Sequence, residues 1–132
     1  MTYLLDTNVI SDFLRNPDGT AARRISECPD DQLVTSVLVQ AELRFGYTKK
    51  GVLRLKLAVE MILARLAVLG WDHPADLAYA EIRSSLEKRG ERIGQMDMLI
   101  AAHAMALDAV LVSDNVKEFS RIPGLKLENW IR

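Results

Sequence analysis

Two carboxylates follow apolar segments that are typical of buried strands. Asp6 comes directly after the run 2–5, and Asp114 comes shortly after the run 109–112. Aspartate at the end of a strand often forms a turn or caps the following helix, so each residue has a purely structural explanation. Each also has a chemical one, because parallel α/β sheets bind their ligands beyond the carboxyl ends of the strands.

Two further carboxylates share predicted helices with apolar side chains. Glu42 lies beside an apolar stripe on one helix, and Asp97 precedes the apolar residues Ile100, Ala101 and Ala104 on another. The alternatives are that Glu42 leans toward solvent and that Asp97 caps its helix. A carboxylate on the packing face of a helix needs a partner or a metal ion. The stripe predicted beside Glu42 consists of Val37, Leu38, Ala41 and Phe45.

If Asp6, Glu42, Asp97 and Asp114 converge, their charges repel one another. Two carboxylates about 4 Å apart repel by roughly 4 kcal/mol at an effective dielectric constant near 20. A divalent cation removes this repulsion, and a donor set made only of oxygen suits Mg²⁺ or Mn²⁺ better than Zn²⁺. The natural reaction of such a site is metal-assisted hydrolysis of a phosphodiester. Spacing alone does not establish that the four side chains meet.

The elements that must position these residues alternate between strands and helices. This order predicts an α/β fold, a three-layer α/β/α sandwich with a mostly parallel sheet of about five strands. Ser36 is a candidate N-cap and Gly51 a candidate helix end. The predicted strands cover residues 2–5, 32–36, 67–71, 109–114 and 125–128. The predicted helices cover residues 8–15, 20–27, 36–50, 52–66, 75–89 and 95–107.

Length and composition limit the number of domains and the kinds of site that the chain can contain. A chain of 132 residues predicts one domain, 1–132, and its net charge of −1 provides no general attraction for nucleic acid. The single cysteine, Cys28, makes no internal disulfide and offers no zinc spacing. Charged residues interrupt the apolar stretch 52–69, which excludes a membrane span there, and no signal peptide is visible. We therefore expect a cytoplasmic protein.

Several basic residues at predicted helix ends or in loops are candidates for contact with RNA phosphates. The alternative is that they are ordinary solvated surface. These residues are Lys49, Lys50, Arg89, Arg92 and Lys117.

Four short motifs together resemble a known family. They read LLDTNVI near the start, AEL around Glu42, RIGQMDMLIAAHA around Asp97, and LVSDNVKEF near the end. The chain resembles the PIN domain and, more narrowly, a VapC-type toxin of bacterial type II toxin–antitoxin systems. The resemblance runs from Tyr3 to Trp130, and four motifs in this order are highly specific.

The resemblance implies a PIN-like ribonuclease that depends on Mg²⁺ or Mn²⁺. It also implies a homodimer and a cognate VapB-type antitoxin that reaches into the catalytic groove, forming a toxin–antitoxin hetero-oligomer. The family cuts structured tRNA or rRNA, and the anticodon loop of initiator tRNA is the favoured target. The implied location is the bacterial cytoplasm, with no membrane partner.

By position, Asp6, Glu42 and Asp97 match the family's core metal-site acids. The resemblance implies that Asp6 and Asp97 anchor the principal ion, while Glu42 binds it or activates water. Asn8 matches a family Asn that orients the first carboxylate or a metal-bound water.

The fourth acidic position departs from the usual pattern. The family motif reads Thr-x-Asp or Thr-x-Asn, whereas this chain has Ser113-Asp114-Asn115. Ser113 matches the threonine as a supporting hydrogen-bond partner. Either Asp114 or Asn115 completes the metal shell, so the number of ions, one or two, stays open.

Two other functions remain as alternatives. A phosphatase with a nucleophilic Asp needs a second Asp two residues later, and Asn8 stands there instead. The other alternative is a catalytically silent PIN-like module that only binds or dimerises.

Overall fold

Five parallel strands form one sheet in the order β3-β2-β1-β4-β5 in the computed structural model, which describes residues 1–132. The predicted α/β fold is confirmed, and the sheet is entirely rather than mostly parallel. The first strand along the chain occupies the centre, so two neighbours flank it. The strands are β1 (Tyr3–Leu5), β2 (Leu33–Ser36), β3 (Ala67–Leu69), β4 (Val110–Val112) and β5 (Leu127–Glu128).

Seven helices connect the strands and cover the sheet. The six predicted helices are present, with boundaries within about two residues of those expected. A short 3-10 turn, Asp30–Gln32, and the last helix were not predicted. The helices are α1 (Thr7–Arg15), α2 (Thr20–Glu27), α3 (Val37–Lys50), α4 (Leu53–Arg65), α5 (Ala75–Lys88), α6 (Gln95–Ala106) and α7 (Val116–Phe119).

Local capping fixes where the helices nearest the sheet begin and end. Asp6 caps α1, because its Oδ1 accepts a hydrogen bond from the backbone N–H of Thr7 at 2.8 Å. The Ser36 hydroxyl oxygen accepts from the N–H of Leu38 at 3.0 Å and caps α3, as predicted. Gly51 ends α3 with φ +68°, a left-handed conformation that glycine adopts without strain.

The register of β1 and β4 places two strand ends side by side. Leu5 pairs with Val112, and the N–H of Asp6 donates to the carbonyl of Val112 at 2.9 Å. Both strands are buried on both faces, which explains their uninterrupted apolar sequences. Asp6 and Ser113 therefore emerge next to each other at the carboxyl edge of the sheet.

The apolar stripe predicted on α3 is wrong. Val37, Ala41 and Phe45 are exposed, with Phe45 65% accessible, whereas Val39 and Leu43 are buried. The helix carries two apolar rows, and the row that starts at Val39 faces the core. Glu42 is half-buried beside Leu43, at the border between core and solvent.

None of the helices has both the length and the apolar character that crossing a membrane requires.

Candidate active site

An open cleft of about 430 Å³ lies at the carboxyl edge of the sheet, and no apolar side chain lines it. Parallel sheets bind ligands at this edge. All four acidic residues singled out from the sequence line the cleft. Its lining consists of Asp6, Thr7, Asn8, Glu42, Asp97, Asp114 and Asn115.

Asp6 is the most deeply placed carboxylate, with 4% of its surface exposed. Its Oδ2 accepts a hydrogen bond from the Ser113 hydroxyl at 2.8 Å, and its Oδ1 accepts from the N–H of Thr7. Burial raises the pKa of Asp6, although these two hydrogen bonds act in the opposite direction. All these donors are neutral, so they orient the carboxylate without compensating its charge.

Asn8 connects the ends of β1 and β4. Its side-chain amide nitrogen donates to the Ser113 hydroxyl oxygen at 3.2 Å, and its Oδ1 accepts from the backbone N–H of Asp114 at 3.0 Å. Ser113 is fully buried, and its Oγ also accepts from the N–H of Asn115 at 3.0 Å. Asn8 and Ser113 thus fix the position of Asp6 through hydrogen bonds that link two strands.

Thr7 holds Glu42, a contact that sequence reasoning missed. The Thr7 hydroxyl donates to Oε1 of Glu42 at 2.6 Å and so ties the start of α1 to α3. The signal was available, because Thr7 stands between Asp6 and Asn8, the two residues that the motif had already identified.

Asp97 lies in the first turn of α6, where Gly94 is the capping residue. Its Oδ2 accepts a hydrogen bond from the Asn115 side-chain amide at 3.1 Å. Burial, followed by the nearby charges of Asp6, Glu118 and Glu42, raises the pKa of Asp97 to about 6. Asp97 therefore faces the other carboxylates across the cleft and does not cap its helix.

Glu118 is a fifth acidic residue at the site, and sequence reasoning missed it although it lies within the segment LVSDNVKEF. It lies on the unpredicted helix α7, and its Oε2 accepts from the Asn115 amide nitrogen at 3.3 Å. The amide of Asn115 thus lies between the carboxylates of Asp97 and Glu118.

Asp114 lines the cleft, but its carboxylate is already paired with other side chains of the chain. Its Oδ1 accepts hydrogen bonds from Nε of Arg132 at 2.8 Å and from the Asn129 amide at 3.0 Å. The Arg132 guanidinium lowers the pKa of Asp114. Of the two candidates for the fourth position, Asn115 is therefore the one whose side chain contacts a core acid.

His103 connects the two helices that carry Glu42 and Asp97. It is buried on α6, and its Nδ1 lies 2.8 Å from the hydroxyl oxygen of Ser36 at the start of α3. Burial lowers the pKa of His103, so its neutral form is favoured. This contact fixes α3 and α6 relative to each other beneath the cleft.

The donor set fits a magnesium or manganese ion by its chemistry. Asp6, Glu42 and Asp97 offer only oxygen and have no cationic side chain as a partner. Nowhere in the structure do three acidic, histidine or cysteine side chains stand close enough together to hold a metal ion. Mg²⁺ needs only one or two carboxylates, because water and substrate phosphate fill its other positions.

The predicted RNA-contacting residues lie in three places around the cleft. Lys50 lines a groove of about 230 Å³ that also contacts Glu42, and Lys49 lies beside it with its Nζ 6.0 Å from the centre of the Phe45 ring. Lys117 is exposed on α7.

Arg89 and Arg92 lie in the loop between α5 and α6, but only one of them is free. Arg89 pairs with Glu91 at 3.2 Å and donates to the carbonyl oxygen of Arg121. The guanidinium of Arg92 is exposed and has no partner within the chain.

Comparison with known proteins assigns the chain to a family. The PIN domain model matches residues 3–125. The chain belongs to the PIN-domain family. Within it, this PIN domain belongs to the VapC ribonucleases, since it is 37% identical to ribonuclease VapC2 of Rickettsia felis over 98% of both chains. It is also 32% identical to the tRNA(fMet)-specific endonuclease VapC of Salmonella typhimurium, again over 98% of both chains.

A solved structure supports the same assignment. The PIN domain superposes on a chain of the Rickettsia felis VapBC2 complex, crystallised with a promoter DNA fragment, with a TM-score of 0.91 and 34% identity. The match covers 98% of this chain and 99% of the other. The predicted family and the predicted fold are both confirmed.

Proposed function

We propose that this VapC-family ribonuclease is a metal-dependent toxin that hydrolyses structured RNA in the bacterial cytoplasm. The observation that carries the proposal is the cleft in which Asp6, Glu42 and Asp97 face one another without a cationic partner. Carboxylates arranged in this way attract a divalent cation, and phosphate oxygens are the usual substrate ligands of such an ion.

In this proposal Asp6 and Asp97 hold Mg²⁺ or Mn²⁺. A bound ion lowers the pKa of its water and stabilises charge on the scissile phosphate. Asn8 and Ser113 hold Asp6 in a single orientation, and Asn115 does the same for Asp97. Thr7 orients Glu42, whose carboxylate is the available acceptor for a proton from the attacking water or a further metal ligand.

For the fourth position we favour Asn115 over Asp114. The Asn115 amide already contacts Asp97, whereas the charge of Asp114 is compensated by Arg132. Asp6, Glu42 and Asp97 together with one amide suit a single ion better than a pair of ions.

The favoured substrate is tRNA, specifically the anticodon loop of initiator tRNA. The Salmonella typhimurium relative, 32% identical, is named a tRNA(fMet)-specific endonuclease, which supports this choice. Arg15 and Lys50 line the groove that also contacts Glu42, and together with the exposed Lys117 they supply phosphate contacts that an RNA stem–loop requires.

We propose a VapB-type antitoxin and a second copy of this chain as protein partners. The related structures are VapBC complexes, which supports the antitoxin. Large apolar side chains lie exposed along one side of α3 and α4, and burying them is the natural reason for dimerisation or antitoxin binding. These residues are Phe45, Leu53, Leu57 and Met61.

Magnesium-dependent cleavage of initiator tRNA tests the function. We expect the purified protein to cut this tRNA in Mg²⁺, to lose activity in EDTA, and to recover it when Mg²⁺ is restored. Asp97→Asn removes a proposed ligand and should reduce the rate by about a thousandfold, since metal stabilisation is worth several kcal/mol. Asp18→Asn, an exposed change without side-chain contacts, is the matched control.

Three results would contradict the proposal. Full activity of Asp97→Asn would exclude the assigned site. Binding of Mg²⁺ by calorimetry without cleavage of any RNA would favour a silent binding module instead. Hydrolysis of a phosphomonoester at a comparable rate would favour the phosphatase alternative.

A further inference from the structure

A second cavity, larger than the acidic cleft, lies beside it. The end of α5, the loop 89–94 and the start of α6 enclose about 640 Å³, a volume within the range of small-molecule binding sites. None of the acids of the cleft lines this cavity.

The cavity and the cleft share one wall. Gln95 and Met98 face the cavity, while Asp97, in the same helical turn, faces the cleft. Gly94, the residue before this turn, lies close to the cleft, because a Cβ atom added there would be 3.6 Å from Oδ2 of Asp97. A ligand that entered the cavity would therefore lie next to a phosphate held at Asp97.

The lining of the cavity suits a flat ligand. Leu86, Ile93 and Met98 supply apolar surface. Arg83 pairs with Glu87 at 2.9 Å, and Glu91 pairs with Arg89 and Arg121 outside the lining, so the Arg92 guanidinium is the one charge of the lining without a partner. A nucleobase would meet apolar contact, hydrogen-bonding groups and one planar guanidinium here.

Two polar side chains of the lining are free to contact a ligand. Gln95 donates one N–H to the Tyr79 hydroxyl oxygen at 3.4 Å, and its carbonyl oxygen has no partner within the chain. Tyr79 is itself fixed by Arg83, which donates to the same oxygen at 3.0 Å. The guanidinium of Arg92 is unpaired, while Arg121 holds the Arg92 backbone by donating to its carbonyl oxygen.

We propose that this cavity binds one unpaired nucleobase of the RNA substrate, next to the scissile phosphate. Arg92 stacks on the face of the base, and Gln95 forms hydrogen bonds with its edge. Proteins read single-stranded RNA in this way, by splaying a base out and stacking it on aromatic rings or guanidinium planes. The inference rests on the proposed ribonuclease function and adds to it a site that selects the nucleotide beside the cut.

A randomised stem–loop library tests the inference. The probe is an anticodon stem–loop RNA of initiator tRNA in which every loop nucleotide is randomised, and sequencing of cut and uncut molecules gives the preference at each position. We expect a preference at one position adjacent to the cut. Arg92→Ala and Gln95→Met should flatten it there and leave other positions unchanged. Arg23→Ala, an exposed arginine without a side-chain partner, should keep it.

An abasic nucleotide provides the second measurement. Placed at the selected position, it should slow the wild-type enzyme by roughly tenfold, because stacking of one base contributes on the order of 1–3 kcal/mol. Arg92→Ala should cut the abasic and intact RNAs at equal rates. A change that merely distorted the site would slow both RNAs and keep the difference between them.

The library experiment distinguishes an error in the base site from an error in the ribonuclease function. If the wild-type protein cuts the library and Arg92→Ala and Gln95→Met keep its full preference, the base site is wrong and the ribonuclease function stands. If the wild-type protein cuts no RNA, both are wrong.

Discussion

Two aspartates follow neighbouring parallel strands and lie in opposite electrostatic settings. Asp6 follows β1, is almost fully buried, and is surrounded by neutral donors, so burial raises its pKa. Asp114 follows β4, and the Arg132 guanidinium lowers its pKa. Both line the same cleft, yet only the charge of Asp6 lacks a partner within the chain.

Position at a strand end does not by itself make an aspartate a metal ligand. A carboxylate that already has a cationic partner is stable without an ion, whereas a buried carboxylate held by neutral donors gains most from one. The presence or absence of a cationic partner therefore distinguishes two acids that occupy equivalent positions at the ends of strands.

The largest expected effect comes from exchanging each aspartate for its amide. Asp6→Asn should lower the rate of RNA cleavage by about a thousandfold, because a metal ion contributes several kcal/mol to the transition state. Asp114→Asn should change the rate by less than about tenfold, since Asp114 has no proposed contact with the ion. Single-turnover cleavage at saturating Mg²⁺ measures both.

Equal losses in the two variants would show that the two aspartates have the same role and would make Asp114 a metal ligand. Circular dichroism of each variant is the control that separates lost chemistry from lost structure.

The dependence of stability on pH should differ in sign between the two kinds of acid. The pKa of Asp97, another acid without a cationic partner, is raised to about 6. The folded state therefore keeps the proton of Asp97 up to a higher pH than the unfolded state does. In EDTA, stability should therefore fall as pH rises from about 4 to about 6. The lowered pKa of Asp114 stabilises the fold above about pH 4, and this stability is lost on acidification.

Thermal unfolding midpoints across this pH range measure the effect, which we expect to be several degrees. Asp97→Asn should reduce the fall between about pH 4 and 6, leaving only the contribution of Asp6, whose pKa burial also raises. Mg²⁺ should reverse the fall, because a ligand bound only by the folded state stabilises that state. A fall that persisted unchanged in Asp97→Asn would assign it to another group.

The smallest expected effect is that of Arg132→Ala. Arg132 is 76% exposed, so removing its ion pair with Asp114 should lower the unfolding midpoint by only about 3 °C. The cleft becomes more negative, so Mg²⁺ should bind slightly more tightly by calorimetry. Weaker Mg²⁺ binding would mean that the ion pair of Arg132 with Asp114 helps to position the metal ligands. Asp114 would then contribute to the site, as Asp6 does.

The sequence was most informative where burial is complete. The runs that form β1 and β4 are uninterruptedly apolar because both faces of these strands are covered, and their ends correctly located Asp6 and Ser113. The prediction for α3 failed because the helix has two apolar rows and periodicity cannot tell which one meets the sheet. Val39 and Leu43 form the buried row, and Phe45 lies outside.

The parts of the site that were missed depend on short or distant contacts. Helix α7 has four residues, too few for an apolar period, so Glu118 could not be placed beside Asp97. The ion pair of Asp114 with Arg132 spans 18 residues and depends on how the chain turns after β5. Neither feature leaves a pattern in the sequence.

The central position of β1 has a consequence for synthesis. Asp6 is made before the hydroxyl that orients it, which belongs to Ser113, 107 residues later. Until that residue leaves the ribosome, β1 lacks its neighbour β4 and Asp6 has no fixed orientation. The high sequence separation of this contact means that a growing chain does not assemble the proposed catalytic centre until Ser113 has been made. A cell that makes this nuclease is thus not exposed to its activity before that point.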